Sequence, residues 1–355
     1  MLYKAQLFTN DNKKGFTLVE LMVGMIVAMI VMGMTYSIFT SQLRLTKTEM
    51  SINDLQLNTQ TTLRYLSKKL RNLGYGVTTK VPVPTVMWFD GDQAGTGSGT
   101  SNLTIWPTDR LTSSDVLAFY SSDVPSEIKL VSYQGSSNVA YLKEPNIFSG
   151  GNVSDYINNL LLIFDSANQT YQVVKITNLT TGQNSGTQTK VDFDTGWGDN
   201  LSTGRPFNPS SAVYLGDYNM VYVDNNNVLR IFTPTGENIP LMNNVLSMQV
   251  MVGRDTDGDN QVDSWTANES DLSDLYEAKA VKIFIVTTTS HEEKGVTVDI
   301  MEKINQLDTN SGGFWSQEVN WNAVLSNYAA THGGAPGVPR VYSFACELRN
   351  VYTCN

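Results

Sequence analysis

Cysteine and histidine are nearly absent from this chain, with two of each in 355 residues. There is no Cys/His cluster with zinc-ligand spacing, no CxxC pair and no CxxCH haem-attachment site, which excludes the metal and redox scaffolds built on those spacings. His291 and His332 stand outside any HExxH or GxSxG context, and no P-loop and no GxGxxG after a strand occurs. The common signatures of hydrolases, metalloproteases and nucleotide-binding enzymes are therefore missing. Charge is also scarce, at 16% of residues against about a quarter in ordinary globular chains. Asn, Thr, Ser and Gly fill the gap, a composition that suits β-rich proteins working outside the cytoplasm. The net charge of −10 sets the bulk of the chain against nucleic acid. No proline precedes Pro82, so no missing backbone donor interrupts a helix before that point.

The N-terminus is the most informative region. Residues 1–15, MLYKAQLFTNDNKKG, are polar, carry Lys4, Lys13 and Lys14, and lack the apolar core of an ordinary secretory signal. The apolar run follows them, and no charged residue occurs from Leu21 to Leu43. As a helix this run is about 34 Å long, enough to cross a hydrocarbon core of about 30 Å. The basic residues ahead of it should stay in the cytoplasm, which places the C-terminal bulk on the far side. Glu20 sits near the start of the apolar segment, where an ionised carboxylate is costly without a partner. A cut after Gly15 would put a new Phe16 ammonium one helical turn away, to neutralise Glu20 or, in a filament, the Glu20 of a neighbour. The alternative is a glutamate at the interfacial end of a plain anchor, solvated by headgroups.

Beyond the membrane the helix is predicted to continue. Ile52, Leu55, Leu63, Leu66, Leu70 and Leu73 recur at three- and four-residue steps, with Lys47, Glu49, Arg64, Lys68, Lys69 and Arg71 interleaved, which predicts an apolar stripe packed on a sheet. Gly74 and Gly76 offer the stop. After residue 76 the pattern changes to short β-prone runs. Candidate strands are Leu103–Trp106, Val116–Tyr120, Ile128–Tyr133, Val139–Leu142, Leu160–Phe164, Gln172–Ile176, Thr187–Phe193, Ala212–Leu215, Met220–Val223, Val228–Phe232, Val245–Val252, Val281–Thr288 and Val341–Leu348. Asp224 to Asn227 reads as a hairpin turn. Residues 91–101 and 178–188 read as exposed loops, and 308–339 as mostly irregular.

The string Lys13-Lys14-Gly15-Phe16-Thr17-Leu18-Val19-Glu20 before a long apolar stretch closely resembles the type IV prepilin processing site. The resemblance implies cleavage by a prepilin peptidase between Gly15 and Phe16, N-methylation of Phe16, and docking of subunits through Phe16 and Glu20. Leu70-Arg71-Asn72-Leu73-Gly74-Tyr75, and the order strand, acidic loop, strand across 245–290, are similar to PilW-type minor pilins and more distantly to J-type pseudopilins of type II secretion. Residues 77–210 carry no such likeness. The implied fold is α+β and pilin-like: a cleaved leader at 1–15, a helix at 16–74 with its transmembrane part at 18–39, and an extracytoplasmic antiparallel β-rich head at 75–355. The implied life history is a single-pass inner-membrane protein with a periplasmic head, later incorporated into the surface pilus. Other minor pilins, the major pilin, the prepilin peptidase and the inner-membrane assembly platform would be its partners. Its role would be to help initiate assembly at or near the pilus tip, without enzymatic activity. A secretion pseudopilin and a tip adhesin are the alternatives.

One loop could hold a small ligand. Asp255, Asp257, Asp259 and Asp263 occupy positions one, three, five and nine of an EF-hand-like loop, with the Gln261 carbonyl at seven, an array that could converge on Ca²⁺. Asn260 replaces the usual glycine at six and Thr266 the bidentate glutamate at twelve. Glu269 or Asp271 could supply the missing carboxylate, and the alternative is a solvated acidic turn. Cys346 and Cys354 are read as a C-terminal disulfide in an oxidising compartment, worth about 2–3 kcal/mol in the chain-entropy model. Two free thiols are the alternative.

Overall fold

The computed structural model describes residues 16–71, 86–89, 107–122, 128–143, 153–168, 170–195, 201, 207–233, 236–259, 261–267, 278–289, 321–332 and 339–347. The chain is α+β, a long N-terminal apolar helix followed by an antiparallel β-rich head. It divides into two compact units, Met1–Asp54 and Leu55–Asn355.

In the first unit every described residue from Leu18 belongs to α1 (Leu18–Arg71). Its large apolar side chains lie open: from Leu18 to Phe39 all are more than half exposed. The helix is long and apolar enough to cross a membrane.

In the second unit the last part of α1 buries Leu55, Thr59, Thr62, Leu66 and Leu70. The steps of three and four follow the helix period, but two members of the buried face are threonines. Thr59 donates its hydroxyl to the Leu55 carbonyl at 2.7 Å, and Thr62 donates to the Leu241 carbonyl at 3.1 Å. A hydroxyl that finds a carbonyl in this way is tolerated in a buried seam. Leu66 and Leu70 are fully buried among Leu117, Phe119, Val221, Val250 and Ile283.

The strands are β1 (Val86–Phe89), β2 (Val116–Ser122), β3 (Ile128–Gln134), β4 (Val139–Leu142), β5 (Leu160–Asp165), β6 (Thr170–Gly182) and β7 (Gln188–Asp194). They continue with β8 (Ala212–Val223), β9 (Leu229–Phe232), β10 (Asn238–Met242), β11 (Val245–Arg254), β12 (Ser264–Thr266), β13 (Ala278–Thr288) and β14 (Pro339–Glu347). Every pairing among them is antiparallel.

Six of these strands close on themselves. The order β8-β3-β4-β7-β6-β5 returns to β8 through a β5–β8 pairing, giving a small barrel without free edges. Each strand sends alternate side chains inward, among them Leu130, Leu142, Ile163, Ile176, Val191 and Val213. Strand β8 serves two structures. Residues 212–216 pair with β3 and β5 in the barrel, whereas 216–223 pair with β2 and β9 beyond it. A separate four-stranded sheet runs β12-β11-β13-β14. One face of it contributes Met248, Val250, Val281 and Ile283 to the core that holds Leu66 and Leu70. On other side chains of β11 and β13, Leu246 and Val286 pack with Trp321, Val324 and Tyr328 of α2 (Trp321–His332).

Three sequence expectations need correction. The two strands expected at Ala212–Leu215 and Met220–Val223 are one strand, because Gly216, Asp217 and Tyr218 pair with Ser122, Ser121 and Tyr120; cross-strand pairing overrides their weak β preference. The loop expected at 178–188 is largely ladder: Asn178, Leu179 and Thr180 pair with Asp192, Val191 and Lys190. Only the tip turns, with positive φ at Gly182, Asn184, Ser185 and Gly186. The stretch 308–339, read as mostly irregular, contains α2, whose Trp321, Val324 and Tyr328 repeat at helical spacing. The hairpin at Asp224–Asn227 stands as expected. Asp224 accepts from the Asn226 and Val228 amides at 2.9 and 2.8 Å and from Arg230 Nε at 2.5 Å, while Asn227 adopts φ +60. The strand expected at Leu103–Trp106 and the loop at 91–101 lie outside the described residues.

Candidate functional site

Thr17 and Glu20 organise the start of α1. The Thr17 amide and hydroxyl both donate to Glu20 Oε2 at 2.9 Å, and the Glu20 amide donates to Thr17 Oγ1 at 3.2 Å. This is a capping box, in which two helix-terminal donors are satisfied reciprocally. It places the glutamate in the first turn, where the helix dipole favours a negative charge. Phe16 immediately precedes it and is 87% exposed; Gly15 lies outside the described residues. An exposed apolar surface of this extent following a capped carboxylate is consistent with a membrane-anchored helix.

The second arrangement is the acidic turn between β11 and β12. Carboxylate oxygens of Asp255, Asp257 and Asp263 all lie within 4.8 Å of one another. Oxygens sharing one Ca²⁺ at about 2.3–2.6 Å can be no more than about 5 Å apart, so these three could hold a cation together. Asp255 is 5% exposed and accepts from the Gly258 amide at 2.7 Å. Gly258 there has φ +85, a conformation open to glycine at little cost. Asp263 accepts from the Thr256 amide at 2.7 Å and hydroxyl at 2.8 Å. These donors, the backbone one first, hold its carboxyl below the ordinary carboxylate range. The loop is pinned from behind, because a Cβ on Gly253 would come within 2.9 Å of both Val262 methyl carbons.

One of the expected carboxylate ligands is placed differently. Asp259 stands outside the three-carboxylate group and instead accepts from the Gln261 backbone amide at 2.8 Å and side-chain amide at 3.1 Å. Thr266, at position twelve, is buried on β12 and offers no carboxylate. Asn260, Glu269 and Asp271 lie outside the described residues. A cation of the protein's own also approaches the group, with Lys279 Nζ 3.6 Å from Asp255 Oδ2. Cys346 is buried on β14; Cys354 and His291 lie outside the described residues. His332 ends α2 and stacks on Tyr328 with ring centroids 4.2 Å apart.

Residues 10–36 match the model of the prokaryotic N-terminal methylation motif. The N-terminus is type IV pilin- or pseudopilin-like. No curated protein and no solved structure matches the chain, so the head is read from its own geometry. Sequence reasoning passed over Thr17, although the spacing Thr17-x-x-Glu20 before an apolar run is the capping-box signal. It also passed over Thr59 and Thr62, whose place on the buried face no hydrophobicity count reveals, and over Lys279, which reaches the acidic turn from β13.

Proposed function

We propose that this chain is a PilW-type minor pilin that helps initiate type IV pilus assembly and resides at or near the pilus tip. The observation that carries the reading is the methylation motif over 10–36 heading a helix whose apolar side chains are open from Leu18 to Phe39. In this proposal a prepilin peptidase cuts between Gly15 and Phe16 and Phe16 is N-methylated. The mature chain waits in the inner membrane with its head in the periplasm, the two cysteines Cys346 and Cys354 joined. On assembly the helix enters the filament core beside other minor pilins and the major pilin. The Phe16 ammonium of one subunit then competes with Thr17 for the Glu20 carboxylate, which sets the register of neighbouring helices.

Deleting the gene tests this, with pili counted in strains with and without the retraction motor. Pili that vanish and partly return when retraction is blocked are the expected result. Unchanged pilus number sinks the priming role and directs attention to secretion or adhesion. For the acidic turn, the convergence of Asp255, Asp257 and Asp263 supports a calcium ion that orders the loop without taking part in catalysis. Calcium titration of the full chain, followed by Trp265 fluorescence, should saturate and be lost in D257N. A flat titration removes the metal from the proposal.

A further inference from the structure

The face of α1 turned away from the head core carries cations that nothing in the described structure balances. Within Leu55–Arg71, Leu57, Thr61, Arg64, Lys68 and Arg71 follow the same helical stepping as the buried stripe, about two residues out of phase, which is the opposite side of a helix. All five are exposed, Leu57 at 65%. Among the described residues, Arg64, Lys68 and Arg71 make no ion pair or side-chain hydrogen bond. The helix dipole accounts for cations in the last turn, but not for Arg64, two turns from the end, nor for the apolar Leu57 in line with it.

The same protein has acid to spare. Residues 1–71 contain nine of the 24 lysines and arginines and four of the 34 acids, so residues 72–355 carry a net charge of −15 within a total of −10. A share of that excess is concentrated on the turn after β11, where Asp257, Asp259 and Asp263 are exposed. In that turn Lys279 pairs with Asp255. Guanidinium groups match carboxylates in shape as well as charge, and unlike charges on two surfaces steer them together.

We infer that the Arg64, Lys68, Arg71 stripe is a docking surface for the acidic turn, Asp257 to Asp263, of a second copy of this chain. Leu57 supplies an apolar edge to the contact. The inference does not depend on which filament the protein serves.

The test uses the full chain in its own membrane. One copy carries a photocrosslinking residue at Thr61, inside the stripe and uncharged, and a second copy carries a distinct tag. The expected product is an adduct of twice the mass of the single chain in that membrane, containing both tags and joined through the peptide that holds residues 255–263. R64E/K68E/R71E in the first copy should cut its yield at least about tenfold, the ratio that corresponds to 1.4 kcal/mol. D259K in the partner, at the exposed aspartate of the turn that stands outside the three-carboxylate group, should then restore part of it. Rescue by the opposite reversal separates a lost contact from a lost fold. The inference is overturned by no adduct, by adducts only with lipid or other proteins, by a yield indifferent to the reversals, or by failure of the paired reversal to rescue.

Discussion

Leu66→Ala is the most direct probe of where α1 becomes part of the head. Leu66 is fully buried on the α1 face that packs against β2, β8 and the β11–β13 sheet. Truncation removes about three buried carbons at roughly 0.8 kcal/mol each and leaves a cavity that rigid strands on several sides cannot fully close. Cavity-forming Leu→Ala changes cost about 2–5 kcal/mol, and alanine's better helix propensity returns only a few tenths. The expected loss is therefore about 3 kcal/mol. Leu57→Ala makes the same chemical change nine residues earlier, at a side chain 65% exposed, and should stay within about 0.5 kcal/mol of the parent. Both variants would be unfolded by heat in detergent and followed by near-UV circular dichroism, a signal that comes from the packed aromatic residues of the head. Equal losses in the two variants, or no loss at Leu66, would refute the assignment of this part of α1 to the head core.

Other consequences are narrower. Thr17→Ala removes the hydroxyl that caps α1 and should loosen its first turn by about 0.5–2 kcal/mol; exchange of the Glu20 amide in micelles should speed up severalfold, and Thr17→Ser should not show it. Asp165→Asn puts a donor where Asp165 accepts from the Asn208 amide at 2.9 Å and the Asn168 side chain at 3.1 Å. One barrel connection would be left with opposed donors, at a cost of about 1–3 kcal/mol, read as a lowered melting temperature; no change would mean that the carboxylate bonds are dispensable. The lowered Asp263 pKa also fixes the sign of an acid effect on the turn. The unfolded carboxyl titrates near 3.9 and the folded one below it, so this stabilisation is complete above the unfolded value and is lost as pH falls through the folded one. Protection of the Thr256 amide, its exchange rate relative to an unstructured amide at the same pH, should therefore fall only in that acid range, and a fall near neutrality would contradict the Thr256–Asp263 pairing.

The N-terminal segment is legible in the sequence because its signals are local. Lys13 to Glu20 and the uncharged run from Leu21 to Leu43 are read along the chain without knowing what packs where. The individual strands were legible for the same reason, through short apolar runs between polar turns. Closure of the barrel was not, since nothing in Leu160–Asp165 or Ala212–Gly216 announces that they pair with each other. The buried threonines of α1 were hidden because burial there is set by carbonyls and sulfur on distant strands, such as Leu241 and Met242. In the acidic turn the spacing of the aspartates was visible. That Asp259 would turn to Gln261 and that Lys279 would stand behind Asp255 depended on backbone geometry and on a strand some twenty residues away.

The shared strand β8 has a mechanical meaning. The barrel is spliced into the head through one continuous run of backbone, since Gly216 pairs at once with Leu160 of the barrel and Ser122 beyond it. Tension between the two parts is borne by covalent bonds along that strand before any ladder of hydrogen bonds can part. The excursion that builds most of the barrel leaves at Ser122 and returns at Ala212, four residues from Ser122's partner Gly216. Ser122 and Gly216 lie side by side, so a pull on the inserted module enters the head at neighbouring backbone positions.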